Sequence, residues 1–407
     1  MSLDTDPLPA PRLAASRWHD LDAVRAFALL SGVALHGVMS FMAPRVWLIA
    51  DPHTSPAADG LFYVIHIFRM TLFFVLAGFF ARLMLQKKGV MGFAGNRFKR
   101  IAVPLVVAWP LVLAAVIVMA IVANPPVPGA PAAAPPALSL ATFPLTHLWF
   151  LYALLILYTG AIGLKLVTDL LHVGGILGRM LDAVVRGLTR FDLIAVVLAL
   201  PVAATFYGNT HWNLWFGIAT PDTGIVPNLM ATAGFTTAFT FGWWLNRSPD
   251  LLDHLARRIW SYGFTAIAGT AWCLHVAGLT PALVPVDGHA HPLYAMIYPA
   301  TAWAWSFVLI GAAHRFLTRE APVLRYLSDA SYWIYIVHLP LVLLFQWLVM
   351  KLDCDPLLKL AIVMLATMGV GLLSYRLVVR YSFIGTILNG RKRKAKRAAT
   401  QAGEALV

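Results

Sequence analysis

An arginine and a histidine, Arg25 and His36, stand eleven residues apart inside one long apolar stretch, DAVRAFALLSGVALHGVMSF. That stretch is long enough to cross a bilayer, where ionisable side chains are costly and mark a bundle interior or a water-filled cavity. Three other apolar stretches carry such groups: His66 with Arg69 in HIFRM, His147 at the head of HLWFLY, and His338 in YIVHLP. An imidazole titrates near neutrality and keeps one ring nitrogen free, which suits a general base or a nucleophile. A guanidinium stays charged and needs an anion or a carbonyl. Arg25 has a local candidate in Asp22, three residues earlier on the same helix face. Arg69 has none, because no carboxylate lies within the middle of any apolar stretch. It calls for an anionic or carbonyl partner from elsewhere, a substrate among the candidates. A single histidine in such a place is equally well explained by a hydrogen bond to a neighbouring helix. Four at compatible depths favour a site.

The depths follow from the elements that carry these groups. Ten spans are expected, at 23–43, 61–85, 101–123, 147–167, 193–207, 227–245, 260–278, 292–315, 331–350 and 358–379. The fifth is short and interrupted by Pro201. Lysines and arginines fall in alternate connections: 26 of the 31 lie on one side and three on the other, with Arg25 and Arg69 inside spans. By the positive-inside rule the rich side, including both termini, is cytoplasmic. Arg25 and His36 are then about 16 Å apart along the first helix, one near the inner face and one past the middle. His66 enters from outside and sits about 8 Å down, with Arg69 one turn below it. His338 rises from inside to near the midplane, and His147 caps the outer start of the fourth span. His275 and His314 lie near span ends and read as structural.

Composition supports this frame. The 407 residues are 60% hydrophobic and only 12% charged, about half the charge of an ordinary soluble domain. The fold class is all-α, a polytopic membrane protein. It divides into a cytoplasmic segment (1–22), a transmembrane domain (23–380) and a basic tail (381–407). The net charge of +13 does not indicate nucleic acid, because the basic residues sort by loop. The cluster RKRKAKR at 391–397 suits anionic lipid headgroups, making membrane lipid a partner. The uncharged segment NPPVPGAPAAAPP, 124–136, reads as an extended outer loop. No cleavable signal peptide is expected. Cys273 and Cys354 fall in different segments and suggest no disulfide. Metal-ligand spacings, a phosphate-binding glycine loop and a nucleophile elbow are all missing from the sequence. A transporter reading is disfavoured by the lack of repeat symmetry and of mid-span carboxylates for ion coupling.

Taken in order, LDAVRAFALLSGVALHG, HIFRMTLFFVLAGFF, NRFKRIAVPLVVAWP, HLWFLYALLI and SDASYWIYIVHLPLVL resemble the membrane-bound acyltransferase family 3. Arg-x10-His in the first span is that family's hallmark, and the details are most similar to its periplasmic-glucan branch. The resemblance implies O-acyl transfer, succinyl or acetyl, from cytoplasmic acyl-CoA to a hydroxyl of a periplasmic glucan or other envelope glycan, at a bacterial inner membrane. Acyl-CoA would be a co-substrate, with no permanently bound cofactor and no metal. His36, Arg25 and Arg69 would be catalytic; His66, His147, Trp149, Tyr335 and His338 would meet the substrate. Arg97, Lys99 and Arg100 would hold the acyl-CoA phosphates. Two positions depart from the family pattern: Ala77 replaces a serine, and Leu339 replaces a second histidine after His338. Acyl group, acceptor glycan and oligomeric state stay open.

Overall fold

A computed structural model describes residues 18–43, 45–125, 139–209, 211–317, 319 and 321–390. The basic tail cluster and most of the proline-rich loop lie outside the described residues. All regular elements among the described residues are helical: α1 (His19–Val38), α2 (Pro56–Arg97), α3 (Val103–Ala123), α4 (Trp149–Leu170), α5 (Gly174–Arg190), α6 (Ile194–Tyr207), α7 (Leu229–Arg247), α8 (Asp250–Arg257), α9 (Ile259–Ala277), α10 (Pro292–Phe316), α11 (Pro322–Val349), α12 (Pro356–Ser374) and α13 (Phe383–Asn389). Six helical runs are long and apolar enough to cross a membrane, or seven if α5 and α6, bent by 107°, count together. The chain is therefore a multi-pass membrane protein.

Each expected span has a helix, and the differences are local. α2 runs beyond residue 85 to Arg97, but Gly89 (φ 64°) breaks its direction just after the Lys87–Lys88 pair, a backbone state that glycine enters without strain. A π-helical turn, Phe98–Ala102, then leads into α3. α6 continues through Pro201 rather than stopping there. α11 begins nine residues before its expected start, with Pro322 at its first turn, where the missing N–H costs nothing. The segment between α4 and α6, read from sequence as a connection, forms the 17-residue helix α5.

Contacts give the helix directions. α1 runs parallel to α11, since Arg25 meets Ser328 and His36 meets His338. α2 runs parallel to α7: Phe74 stacks on Phe235, and Arg82 hydrogen-bonds Asn246. α1 and α2 are antiparallel, with Trp18 against Phe79 and Phe27 against Phe68. So are α9 and α10, through Tyr262–Phe307 and Trp305–Thr270 contacts, and α11 and α12, where Ile334 packs on Gly371 while Gln346 and Leu360 both meet Gly37. Within lipid, apolar burial does not drive helices together, so close backbone approach matters. Gly78 and Gly242 supply it between α2 and α7; a Cβ at Gly242 would stand 1.8 Å from the Val75 carbonyl oxygen. The loop between α1 and α2 folds back over the bundle. There the buried Lys359 Nζ, at the start of α12, holds the Asp51 carboxylate at 2.9 and 3.0 Å.

Candidate active site

The α1–α11 seam places most of the polar groups. Arg25 pairs with Asp22 at 3.0 Å and donates to Ser328 Oγ at 3.3 Å. About three turns further along, His36 meets His338 with 2.8 Å between Nδ1 and Nε2. Ten residues separate the α11 partners and eleven the α1 partners, so the two parallel helices keep register over the whole interval. About two turns beyond His338, Gln346 Nε2 donates to the carbonyls of His36 (2.9 Å) and Gly37 (3.0 Å).

Hydrogen-bond partners fix the ring tautomers. His338 Nδ1 lies 2.6 Å from the Tyr335 carbonyl oxygen, which only accepts, so Nδ1 carries the proton. His338 Nε2 therefore presents a lone pair and takes the proton of His36 Nδ1. His36 Nε2 is left with its lone pair and no hydrogen-bond partner among the described residues. The same Tyr335 oxygen accepts from His147 Nε2 at 3.0 Å, and the Tyr335 hydroxyl donates to the His147 carbonyl at 2.8 Å. His147 Nδ1 is buried without a partner. Pro340, inside α11, has no N–H for the Ile336 carbonyl, which leaves that oxygen, one residue beyond Tyr335, without its intrahelical donor.

His36, His147, His338, Tyr335, Trp149 and Arg69 line one small cavity of about 30 Å³, walled by Ala28, Leu29, Met70, Phe73 and Phe150. Arg69 reaches across from α2 to α1, where Gly32 makes room; a Cβ there would lie 2.6 Å from a terminal guanidinium nitrogen. Its Nε is buried with no hydrogen-bond partner. A cation that shares this lining with three imidazoles and no carboxylate is suited to meet an anion or a polarised carbonyl.

Other expected residues stand apart. His66 does not line the cavity; it stacks on Phe62 at 5.2 Å, with its Nδ1 buried and unpartnered. Three residues on a helix turn the side chain by about 60°, enough to send His66 and Arg69 to different neighbours. Arg97 stacks on Phe93 and Tyr158 and bonds Asn96 at 2.9 Å. Arg100 lies close enough to Arg97 and Arg25 for their charges to repel, and its carbonyl accepts from the Tyr332 hydroxyl. Lys99 is exposed. A line of polar groups thus runs from three arginines at one end, past Tyr332 and the stacked Tyr335, to His338 and His36. His314 joins Asp20 (2.7 Å) and Asp253 (3.2 Å), clamping the ends of α1, α8 and α10. Leu339, in place of a second histidine, packs with Ile49 and Leu343 in an apolar cluster, away from the cavity.

Two further residues belong to the site. Trp47, in the α1–α2 loop, stacks on the His36 ring at 5.6 Å and donates from Nε1 to Gln346 Oε1 at 2.8 Å. Gln346 was visible as an amide within an apolar span; Trp47 had no mark in the sequence beyond being one of 14 tryptophans.

Comparison with known proteins agrees with this geometry. The sequence profile of the acyltransferase domain (Acyl_transf_3) matches residues 18–376. The chain is 24% identical over 386 residues to the glucans biosynthesis protein C of Salmonella paratyphi B and to that of Salmonella agona, covering 94% of this chain and 96% of each relative. The protein of the same name from Salmonella gallinarum matches at the same identity over 392 residues. No solved structure matches. The chain belongs to acyltransferase family 3, and the matched region contains the helices that enclose this cavity.

Proposed function

We propose that the protein transfers an acyl group, succinyl or acetyl, from cytoplasmic acyl-CoA to a hydroxyl of a periplasmic glucan or related envelope glycan at a bacterial inner membrane. The observation that carries this reading is the hydrogen-bond chain from the Tyr335 carbonyl through His338 to His36, which leaves His36 Nε2 as a positioned base. The name of the relatives, glucans biosynthesis protein C, favours a glucan as acceptor.

The topology proposed is ten spans within 23–380, with both termini cytoplasmic. The helix directions support it: parallel pairs join spans of the same parity (α1 with α11, α2 with α7), and antiparallel pairs join opposite parity. Arg25, Arg97, Lys99 and Arg100 then form the inner mouth and hold the donor's phosphates, while the pantetheine arm carries the thioester toward His36 along the tyrosine line. Acceptor hydroxyls come from the outer side, where His147, Trp149 and Tyr335 border the cavity; His66 serves from just beyond its wall.

His36 Nε2 takes the proton of the acceptor hydroxyl as its oxygen attacks the thioester carbonyl. Arg69 steadies the oxyanion, or the free carboxylate of a succinyl group. The C–S bond then breaks, and the leaving thiolate recovers the proton from the His36 imidazolium. Throughout, the His36 Nδ1 proton stays on its bond to His338, so the ring keeps its orientation. In an alternative order, Nε2 itself takes the acyl group and passes it on.

The test is transfer of labelled acyl from acyl-CoA by purified protein in detergent. His36→Ala, folded and monodisperse, should abolish it. Undiminished transfer by that variant overturns the assignment, and trapping of acyl-enzyme in a single turnover distinguishes the two orders.

A further inference from the structure

The helix α5 carries no part of the chemistry, yet its surface is sorted into three strips. At about 100° per residue, Ile176, Leu177, Met180, Leu181 and Val184 cover one arc of about 140°. All five are exposed, Met180 by 61% and Ile176 by 54%. A second strip faces the bundle. Asp182 receives Arg247 Nε at 2.8 and 3.0 Å, and Gly178 lies under the same guanidinium, where a Cβ would stand 2.7 Å from it. The third strip holds Arg179, Arg186 and Arg190, all exposed.

What covers the apolar strip is indicated by its neighbours. Exposed leucines of α4 (Leu164, Leu170) lead into it, and exposed apolar residues of α6 (Leu193, Val196) lead out. These two helices present their exposed apolar sides to acyl chains, and α5 turns from α6 by 107°. A short helix bent sharply from a spanning one, apolar on one strip and cationic on another, has the form of an element lying in the bilayer surface. Its arginines then stand at headgroup level, where anionic phosphates concentrate.

We propose that α5 is an in-plane membrane-surface helix whose Ile176–Val184 strip sits among acyl chains while Arg179, Arg186 and Arg190 bind anionic phospholipid headgroups. The anchor is pinned to the bundle by the Asp182–Arg247 ion pair. It therefore ties the entry of α6 and the end of α7 to the level of the bilayer surface.

Spin labels placed one at a time at Met180→Cys and Arg186→Cys test the first half, in full-length protein with Cys354→Ser, Cys273 being buried. In nanodiscs, the label at 180 should collide with oxygen more often than with a water-soluble nickel chelate, and the label at 186 should do the reverse. Equal exposure of both labels to nickel overturns the proposal. So does spin–spin broadening at 180, which would put a second copy of the chain on that strip. For the second half, native mass spectrometry after extraction from mixed phosphatidylglycerol and phosphatidylcholine nanodiscs should show several-fold preferential retention of phosphatidylglycerol. Arg179→Gln with Arg186→Gln should remove most of that preference; an unchanged ratio refutes the headgroup assignment. Neither readout depends on acyl transfer, so failure here leaves the proposed reaction standing, and failure of that reaction leaves this test intact.

Discussion

Two parallel helix pairs hold this bundle by opposite means. Between α2 and α7 the seam is dry at its crossing: glycines at 78 and 242 let the backbones touch, and Phe74 stacks on Phe235. Between α1 and α11 the seam is joined by side-chain hydrogen bonds at three levels, Arg25 to Ser328, His36 to His338, and Gln346 to the His36 and Gly37 carbonyls. In hydrocarbon a polar group without a partner is expensive. A polar seam therefore settles into one register, while the glycine seam is set by shape at its crossing, with a polar tie, Arg82 to Asn246, toward one end. The bundle uses the second to hold helices together and the first to aim an imidazole.

The comparison breaks most sharply at its two centres. His36→Ala should lower acyl transfer by about 10²–10⁴-fold, the usual range for a lost general base, with thermal stability in detergent unchanged. Gly242→Val should do the opposite kind of damage. Its side chain meets the Val75 carbonyl, so folded yield and melting temperature should fall by the equivalent of about 1–3 kcal/mol or more. Surviving protein should transfer acyl groups at near-normal kcat. If Gly242→Val abolished turnover in fully stable protein, the division between holding and aiming would be wrong.

Finer tests sharpen it. His338→Ala keeps the His36 nitrogen but frees the ring, and a displacement of about 1 Å costs about 10²-fold. That loss should fall on kcat, with KM for acyl-CoA held. Lys359→Met removes the cation from a buried pair that fastens the loop carrying Trp47. It should destabilise the fold by about 3–5 kcal/mol in thermal or denaturant unfolding, and adding Asp51→Asn should restore much of it. The smallest effect is expected at Gln346→Met, a loss near 1 kcal/mol of stability together with a several-fold fall in kcat, read by the same assays. Trp47→Phe, which preserves the ring stack and loses the Nε1 bond, should show part of that fall.

What the sequence made legible was which helices carry the polar groups. Span lengths and loop charges placed His36 and His66 at a similar depth, with His338 near the midplane and His147 at the outer start of its span; the structure joins His36, His147 and His338 through the Tyr335 carbonyl. Azimuth was not legible. His66 shares that depth, yet it faces Phe62 instead of the cavity, because depth depends on rise while direction depends on rotation and packing. The helix α5 escaped for a related reason: its arginines dilute the average hydropathy, so only its 3.6-residue period distinguishes it from a connection. Trp47 reaches His36 through a loop folded back over the bundle and held by Asp51 and Lys359, a contact between segments far apart in the chain.

The atom that receives both His147 and His338 belongs to the main chain. No substitution at position 335 deletes it, so mutational scanning there reports on ring packing and leaves the anchor of the relay untouched. The more sensitive point is five residues on, at Pro340: an alanine there would supply an amide proton to the Ile336 carbonyl and tighten the turn that presents the Tyr335 oxygen. Tolerance at a catalytic neighbour beside intolerance at a distant proline is the pattern by which a backbone-anchored proton path would betray itself.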